Sequence, residues 1–104
     1  MHTATFFGPQ GWVELMKRET GEFSFPPDFV AVCLNPDKQF RNRIGILQQL
    51  VAEGKRVFLT STLRERELRG NPQLASILDN PRVDFTQAPE RRLLQHLCQH
   101  FGPR

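Results

Sequence analysis

The segment from Phe29 to Ser61 constrains the fold most, because its pattern predicts a strand, a helix and a second strand in direct succession. Residues 29–34 form a continuous apolar run, which is typical of a strand buried on both faces. Residues 35–37 (Asn-Pro-Asp) predict a helix start, with Asn as the cap, Pro at the first helical position and Asp in the first turn. Gly54 ends this helix, and a second apolar run begins at Arg56. A unit of this kind requires a parallel sheet.

The rest of the chain continues the alternation of strands and helices. A strand over residues 3–7 and a helix from about Gln10 to Thr20 are predicted first, followed by an irregular stretch that contains two adjacent prolines. After the strand that begins at Arg56, residues 62–65 match a capping box and predict a helix start with Arg64 in its first turn. The last predictions are a helix from Asn71-Pro72, an edge strand over 82–87 and a helix opened by Pro89.

This order predicts an α/β fold built from four βα repeats. The chain has 104 residues, which suits one domain over residues 1–104 with one core. We expect a small, mostly parallel four-stranded sheet with flanking helices, similar to Rossmann or flavodoxin-like domains. We also expect right-handed crossovers between the strands.

Composition limits the location and the partners of the protein. No apolar run approaches the roughly 18 residues that a membrane helix needs, and the N-terminal residues lack the pattern of a secretory signal. Cys33 and Cys98 both lie in apolar patterns and are expected to be reduced core residues, which favours the cytosol. The net charge is +3, and residues 36–80 hold eight basic against five acidic side chains. An anionic partner is therefore expected to meet the middle or C-terminal part.

Ligands of open parallel sheets usually bind beyond the carboxyl ends of the strands. We therefore expect a ligand site formed by two loops, one after each strand of the central unit. Its predicted residues are Asn35, Asp37, Lys38, Thr60, Ser61, Thr62 and Arg64. Backbone N–H groups, hydroxyls and a guanidinium suit a phosphate oxygen. The alternative is that Thr62 only caps a helix and that Arg64 is a solvated charge.

Other candidate motifs are weaker. Residues 8–11 (Gly-Pro-Gln-Gly) lack the Lys-Ser/Thr ending of a phosphate-binding loop and are expected to form a tight turn. His96 and His100 have the spacing of two zinc ligands, but no neighbouring cluster completes a site, so no metal and no cofactor is predicted. Cys33 lies in a buried strand, where thiols are usually inert, and no catalytic residue is assigned.

The leading hypothesis is a small cytosolic binding module without catalysis, whose partner is a protein or a nucleic acid. Lys38, Arg41 and Arg64 are the expected nucleic-acid contacts. The alternative is a small enzyme, or a nucleotide-binding or phosphate-binding domain, with its site at the carboxyl ends of the strands. A third interpretation is a homo-oligomer whose interface contains Trp12, Phe23 and Phe25. No membrane partner is expected.

Overall fold

The computed structural model describes residues 4–87 and 90–102. Strands and helices alternate along them as the sequence pattern predicts, with two short helices between the third and fourth strands. The elements are β1 (Thr5–Phe7), α1 (Gln10–Glu19), β2 (Phe29–Cys33), α2 (Phe40–Ala52), β3 (Arg56–Ser61), α3 (Glu65–Leu68), α4 (Pro72–Leu78), β4 (Val83–Gln87) and α5 (Glu90–Phe101).

The four strands form one all-parallel sheet in the order β1-β2-β3-β4. Val30 of β2 lies beside Thr5 of β1 and Val57 of β3, and Val57 in turn lies beside Val83 of β4. The two central strands are β2 and β3, whereas β4 lies at an edge, as its alternating pattern predicts. The predicted α/β class and the parallel four-stranded sheet are confirmed.

Helices cover both faces of the sheet, and the two faces differ in composition. Alternate residues of β2 point to opposite faces, so Phe29 and Ala31 lie on one side and Val30 and Val32 on the other. Phenylalanines, Trp12 and the buried residues of α1 and α5 fill the first side, which we call the aromatic face. Leu, Ile and Val side chains of α2, α3 and α4 fill the other side, the aliphatic face.

This distribution of helices requires crossovers of two hands. The strands follow one another in the same direction across the sheet, so connections over opposite faces have opposite hands. The connection from β1 to β2 passes through α1 on the aromatic face, whereas the connection from β2 to β3 passes through α2 on the aliphatic face. The prediction that all crossovers are right-handed is therefore wrong for at least one of them. Burial of Trp12 and Met16 among the phenylalanines keeps α1 on the aromatic face.

Two of the predicted helix starts are displaced along the chain. The helix α2 begins at Phe40 rather than at residue 36, because the Asn35 side chain accepts a hydrogen bond from Thr62 N–H instead of capping a helix. The helix α3 begins at Glu65, with Arg64 at its N-cap and the Glu67 carboxylate accepting from Arg64 N–H at 3.4 Å. Arg64 therefore precedes the first turn, and the capping box begins two residues later than predicted.

The start of α4 has the predicted local form. Asn71 is its N-cap, with the Asn71 side chain accepting from Gln73 N–H at 2.9 Å, and Pro72 is the first helical residue. The predicted role of Pro89 in opening α5 lies outside the described residues.

Burial overturns two expectations about apolar side chains. Cys33 is buried as predicted, but Cys98 is exposed, because α5 packs on the sheet through Leu93 and Leu97; both thiols are free. The aromatic residues proposed for an oligomer interface, Trp12, Phe23 and Phe25, are only 6%, 8% and 4% exposed. They belong to the core, so the prediction that these three side chains form an oligomer interface is wrong. Among the described helices, none is long and apolar enough to span a bilayer.

Candidate functional site

The two predicted ligand loops meet at the carboxyl ends of β2 and β3. We call this region, residues 34–41 and 60–64, the carboxyl rim. Leu34 N–H extends the pairing of the strands by donating to Thr60 C=O at 2.8 Å. The Asn35 Oδ1 atom accepts from Thr62 N–H at 3.1 Å, which links the loops across 27 residues of sequence. The sheet therefore brings Asn35, Thr60, Ser61 and Thr62 together, as expected for neighbouring parallel strands.

The Ser61 hydroxyl is used inside the chain. Ser61 is fully buried, and its hydroxyl donates to Leu34 C=O at 2.5 Å while accepting from Leu63 N–H at 3.0 Å. These two backbone groups lie where the strands end and have no partner in the sheet, and the Ser61 hydroxyl forms a hydrogen bond with each of them. A hydroxyl that is engaged twice and closed off from solvent cannot bind a phosphate oxygen or attack a substrate.

Asp37 is paired with Arg43, a largely buried residue of α2. The Arg43 guanidinium nitrogen Nη1 lies 2.8 Å from Oδ1 and 2.7 Å from Oδ2 of Asp37, and Gln39 N–H donates to Oδ1 at 2.9 Å. The hydrogen bond from Arg43, with that from Gln39, lowers the pKa of the Asp37 carboxyl below its ordinary value of 3.8. At neutral pH this carboxylate is ionised and paired, so it is poorly suited to act as a general acid or base.

Cys33 and Thr60 lie side by side in the register, and neither side chain reaches the surface. Burial raises the pKa of the Cys33 thiol to about 12 although the charge of Arg43 opposes this effect, so the thiol is protonated at neutral pH. The Thr60 side chain is buried, and its hydroxyl has no hydrogen-bond partner in the part of the chain that the structure describes. Neither side chain is therefore an accessible nucleophile.

Positive charge remains exposed at the carboxyl rim. Lys38 and Arg41 lie at the start of α2, and Arg64 lies at the start of α3. All three are exposed, and within residues 4–87 and 90–102 none of their side-chain nitrogens lies within 4.0 Å of a carboxylate oxygen, although the Glu67 carboxylate accepts from the backbone N–H of Arg64. Thr62, between the two loops, is also exposed. The surface offered here is cationic and is backed by a hydrogen-bonded loop pair.

A depression that the sequence pattern does not predict lies at the opposite end of the sheet. It has a volume of about 430 Å³ and lies on the aromatic face, where β2, β3 and β4 begin and α5 ends. Its polar lining residues are Arg56, Arg82, Asp84, His96 and His100. We call it the amino-end depression. The i,i+4 spacing of the two histidines was its only signal in the sequence.

The geometry of the histidines differs from that of a complete metal site. The His96 ring lies 4.9 Å from the Phe58 ring and 4.7 Å from the His100 ring, measured between centroids. Across the described residues, no three His, Cys, Asp or Glu side chains are grouped as a metal ion requires.

Three other depressions, of about 420 to 490 Å³, lie beside β1, between α1 and α5, and between α2 and α4. Their lining residues include none of the predicted ligand residues. Comparisons of the chain with models of known protein families, with curated proteins and with solved structures gave no match.

Proposed function

We propose that the protein is a non-catalytic binding module that contacts the phosphate backbone of a nucleic acid through Lys38, Arg41 and Arg64. The observation that carries this proposal is a contrast at the carboxyl rim. The Lys38, Arg41 and Arg64 side chains are exposed, whereas the Ser61 and Asn35 side chains are hydrogen-bonded within the chain. The charged side-chain nitrogens of these three residues have no carboxylate oxygen within 4.0 Å among the described residues. Lysine and arginine side chains in this state are suited to neutralising phosphates and releasing their counterions.

The rival function, an enzyme or a nucleotide-binding domain at the same rim, needs free polar groups that converge on a ligand. Ser61 is buried and engaged twice, and Asp37 is held by Arg43. The Asn35 carbonyl oxygen accepts from Thr62 N–H. These contacts favour a structural role for the Ser61, Asp37 and Asn35 side chains and leave recognition to the exposed cations. We also propose a cytosolic location, which the two free thiols support.

The proposal is tested by fluorescence anisotropy with a labelled DNA duplex of mixed sequence, titrated over a range of salt concentrations. If three phosphates are neutralised, the slope of log Kobs against log[salt] is about −2.7. The affinity then falls about 40-fold between about 50 and 200 mM salt. Lys38→Ala, Arg41→Ala and Arg64→Ala should each weaken binding and reduce the magnitude of the slope by about 1.

A matched control is Arg18→Ala, which removes one positive charge from the last turn of α1, at the far end of the sheet. The Arg18 side chain is 74% exposed, and its ion pair is to the adjacent Glu19. This variant should bind the duplex almost as the unmodified protein does. Affinity that ignores salt, or equal losses for Arg18→Ala and Arg64→Ala, would contradict the proposed contact surface. Tighter binding to poly-glutamate than to the duplex would indicate an acidic protein as the partner instead.

A further inference from the structure

We propose that the amino-end depression binds a small phosphate monoester that also carries hydroxyl groups, such as a sugar phosphate. This site is separate from the carboxyl rim, because it lies where the strands begin and shares no residue with that rim. The proposal goes beyond nucleic-acid binding and does not depend on it.

The shape of the depression suits a ligand of this size. Its volume of about 430 Å³ lies within the range of small-molecule sites. Phe29 and Phe58, which are 2% and 4% exposed, form part of its base, and the Phe101 ring packs 4.8 Å from Phe29. A base made of packed aromatic rings is rigid and gives an apolar surface against which a sugar ring can lie.

Arg56 is the cation that is free to hold the phosphate. The Arg82 guanidinium lies 3.1 Å from the Asp28 carboxylate, which offsets its charge. Arg56 is exposed and has no ion pair among the described residues. A guanidinium has a planar array of N–H donors that matches two phosphate oxygens.

The two histidines of α5 add hydrogen-bond donors to the same depression. His96 is partly buried and packs on Phe58, while His100 lies one helical turn further along α5. Each neutral imidazole donates one N–H and each protonated imidazole donates two, so the pair can contact phosphate oxygens in either state. A positive charge on Arg56, which lines the same depression, favours an anion over a metal ion beside these rings.

Asp84 selects for hydroxyl groups. It lies beside Phe58 in the register of β3 and β4, is exposed, and has no ion pair in the described part of the chain. A carboxylate accepts hydrogen bonds from sugar hydroxyls but repels a bare phosphate. Asp84 and Arg56 lie on the same face of neighbouring strands, two register positions apart, so together they match a ligand that carries its phosphate and its hydroxyl groups close to one another.

The experiment is a titration of the full chain with ribose 5-phosphate, followed by ¹H–¹⁵N NMR, with ribose and inorganic phosphate as comparison ligands. We expect saturable shifts of the Arg56, Asp84, His96 and His100 amides with ribose 5-phosphate, and weaker binding of each comparison ligand. Ribose binding as tightly as ribose 5-phosphate would overturn the phosphate assignment. Shifts confined to other segments, or no saturable shift, would overturn the site.

Two surface substitutions test the phosphate contact and the hydroxyl contact separately. Arg56→Gln should weaken ribose 5-phosphate by about tenfold or more, because it removes a charge-assisted contact. Asp84→Asn should weaken ribose 5-phosphate but strengthen inorganic phosphate, because it removes both an acceptor and a repulsive charge. Arg66→Gln on α3 is the matched control, because Arg66 is exposed, has no ion pair in the described part of the chain and belongs to neither proposed site; it should leave the affinity unchanged. Equal effects of Arg56→Gln and Arg66→Gln would contradict the site.

Discussion

The carboxyl rim and the amino-end depression are both polar, but they differ in which polar side chains are hydrogen-bonded within the chain. At the rim, the Ser61, Asn35 and Asp37 side chains are hydrogen-bonded within the chain. In the depression, the side chains of Arg56, Asp84, His96 and His100 have no hydrogen-bond partner among the described residues. Among the described residues, the free polar side chains at the rim are therefore the surface cations Lys38, Arg41 and Arg64, whereas the depression, in which Arg82 is paired with Asp28, also leaves an acid and two imidazoles free.

The physical reason lies in how parallel strands end. Where β2 and β3 stop, the backbone groups of Leu34, Thr62 and Leu63 leave the regular ladder and need partners. Short polar side chains such as serine and asparagine satisfy such groups locally. The same residue types that suit a phosphate site also suit this structural task, and the contacts of the folded chain decide between the two.

The largest expected effect is a difference in reactivity between the two cysteines. Cys33 lies in β2, the strand that leads into the carboxyl rim, and Cys98 lies on the surface of α5. With a pKa of about 12 instead of the ordinary 9.0, Cys33 has a thiolate fraction about a thousandfold lower than an unperturbed thiol at the same pH. Iodoacetamide applied to the native protein, followed by peptide mass spectrometry, should label the exposed Cys98 and leave Cys33 unmodified. Labelling in denaturant should reach both. Native labelling of both cysteines at similar rates would show that this end of the sheet opens readily.

The next effect compares two adjacent hydroxyls of β3. Ser61→Ala leaves Leu34 C=O and Leu63 N–H without their buried partner and should lower the free energy of unfolding by about 1–3 kcal/mol. Thr60→Val removes a buried hydroxyl that has no partner among the described residues, so its effect should be neutral or stabilising by up to about 1 kcal/mol.

Urea unfolding followed by circular dichroism measures both variants. Ser76→Ala on the exposed side of α4 is the control and should change stability by no more than about 0.5 kcal/mol. If Thr60→Val proves as damaging as Ser61→Ala, the Thr60 hydroxyl has a partner that the described contacts lack.

A smaller effect tests the Asp37–Arg43 pair through pH. The folded state lowers the pKa of Asp37 below 3.8, so ionised Asp37 stabilises the fold above pH 3.8. This contribution is lost as the pH falls through the lower pKa of the folded state. Asp37→Asn should therefore be less stable than the unmodified protein at neutral pH, and the difference should shrink in acid below pH 3.8. Urea midpoints measured across this range give the comparison. A stability difference that is the same at neutral pH and below pH 3.8 would show that the Asp37 charge does not stabilise the fold.

Local signals predicted most of the fold. The apolar run of β2 and the Asn71-Pro72 start of α4 depend on residues that are close in sequence, so the pattern alone locates them. The start of α2 was placed too early because the Asn35 side chain binds Thr62 N–H, a partner 27 residues away. When a potential cap side chain bonds to a residue far away in the sequence, the residues around it give no sign of this.

The amino-end depression was hidden from the sequence for a related reason. Arg56, Asp84 and His100 come from three elements, and only the sequential strand order and the position of α5 on the aromatic face bring them together. The expectation of uniformly right-handed crossovers did not anticipate helices divided in this way between the two faces. The spacing of His96 and His100 indicated one part of the lining, but nothing local indicated that Arg56 lines the same depression.

The most direct test of the contrast between the two ends is one pair of ¹H–¹⁵N NMR titrations on the same sample, first with a DNA duplex and then with ribose 5-phosphate. The duplex should shift the amides of Lys38, Arg41 and Arg64 at the carboxyl rim, with shifts that diminish as salt is raised. Ribose 5-phosphate should then shift those of Arg56, Asp84 and His100, with the rim unaffected. If both titrants shift the same set of amides, the two ends do not have the separate roles assigned to them, and the central claim is contradicted.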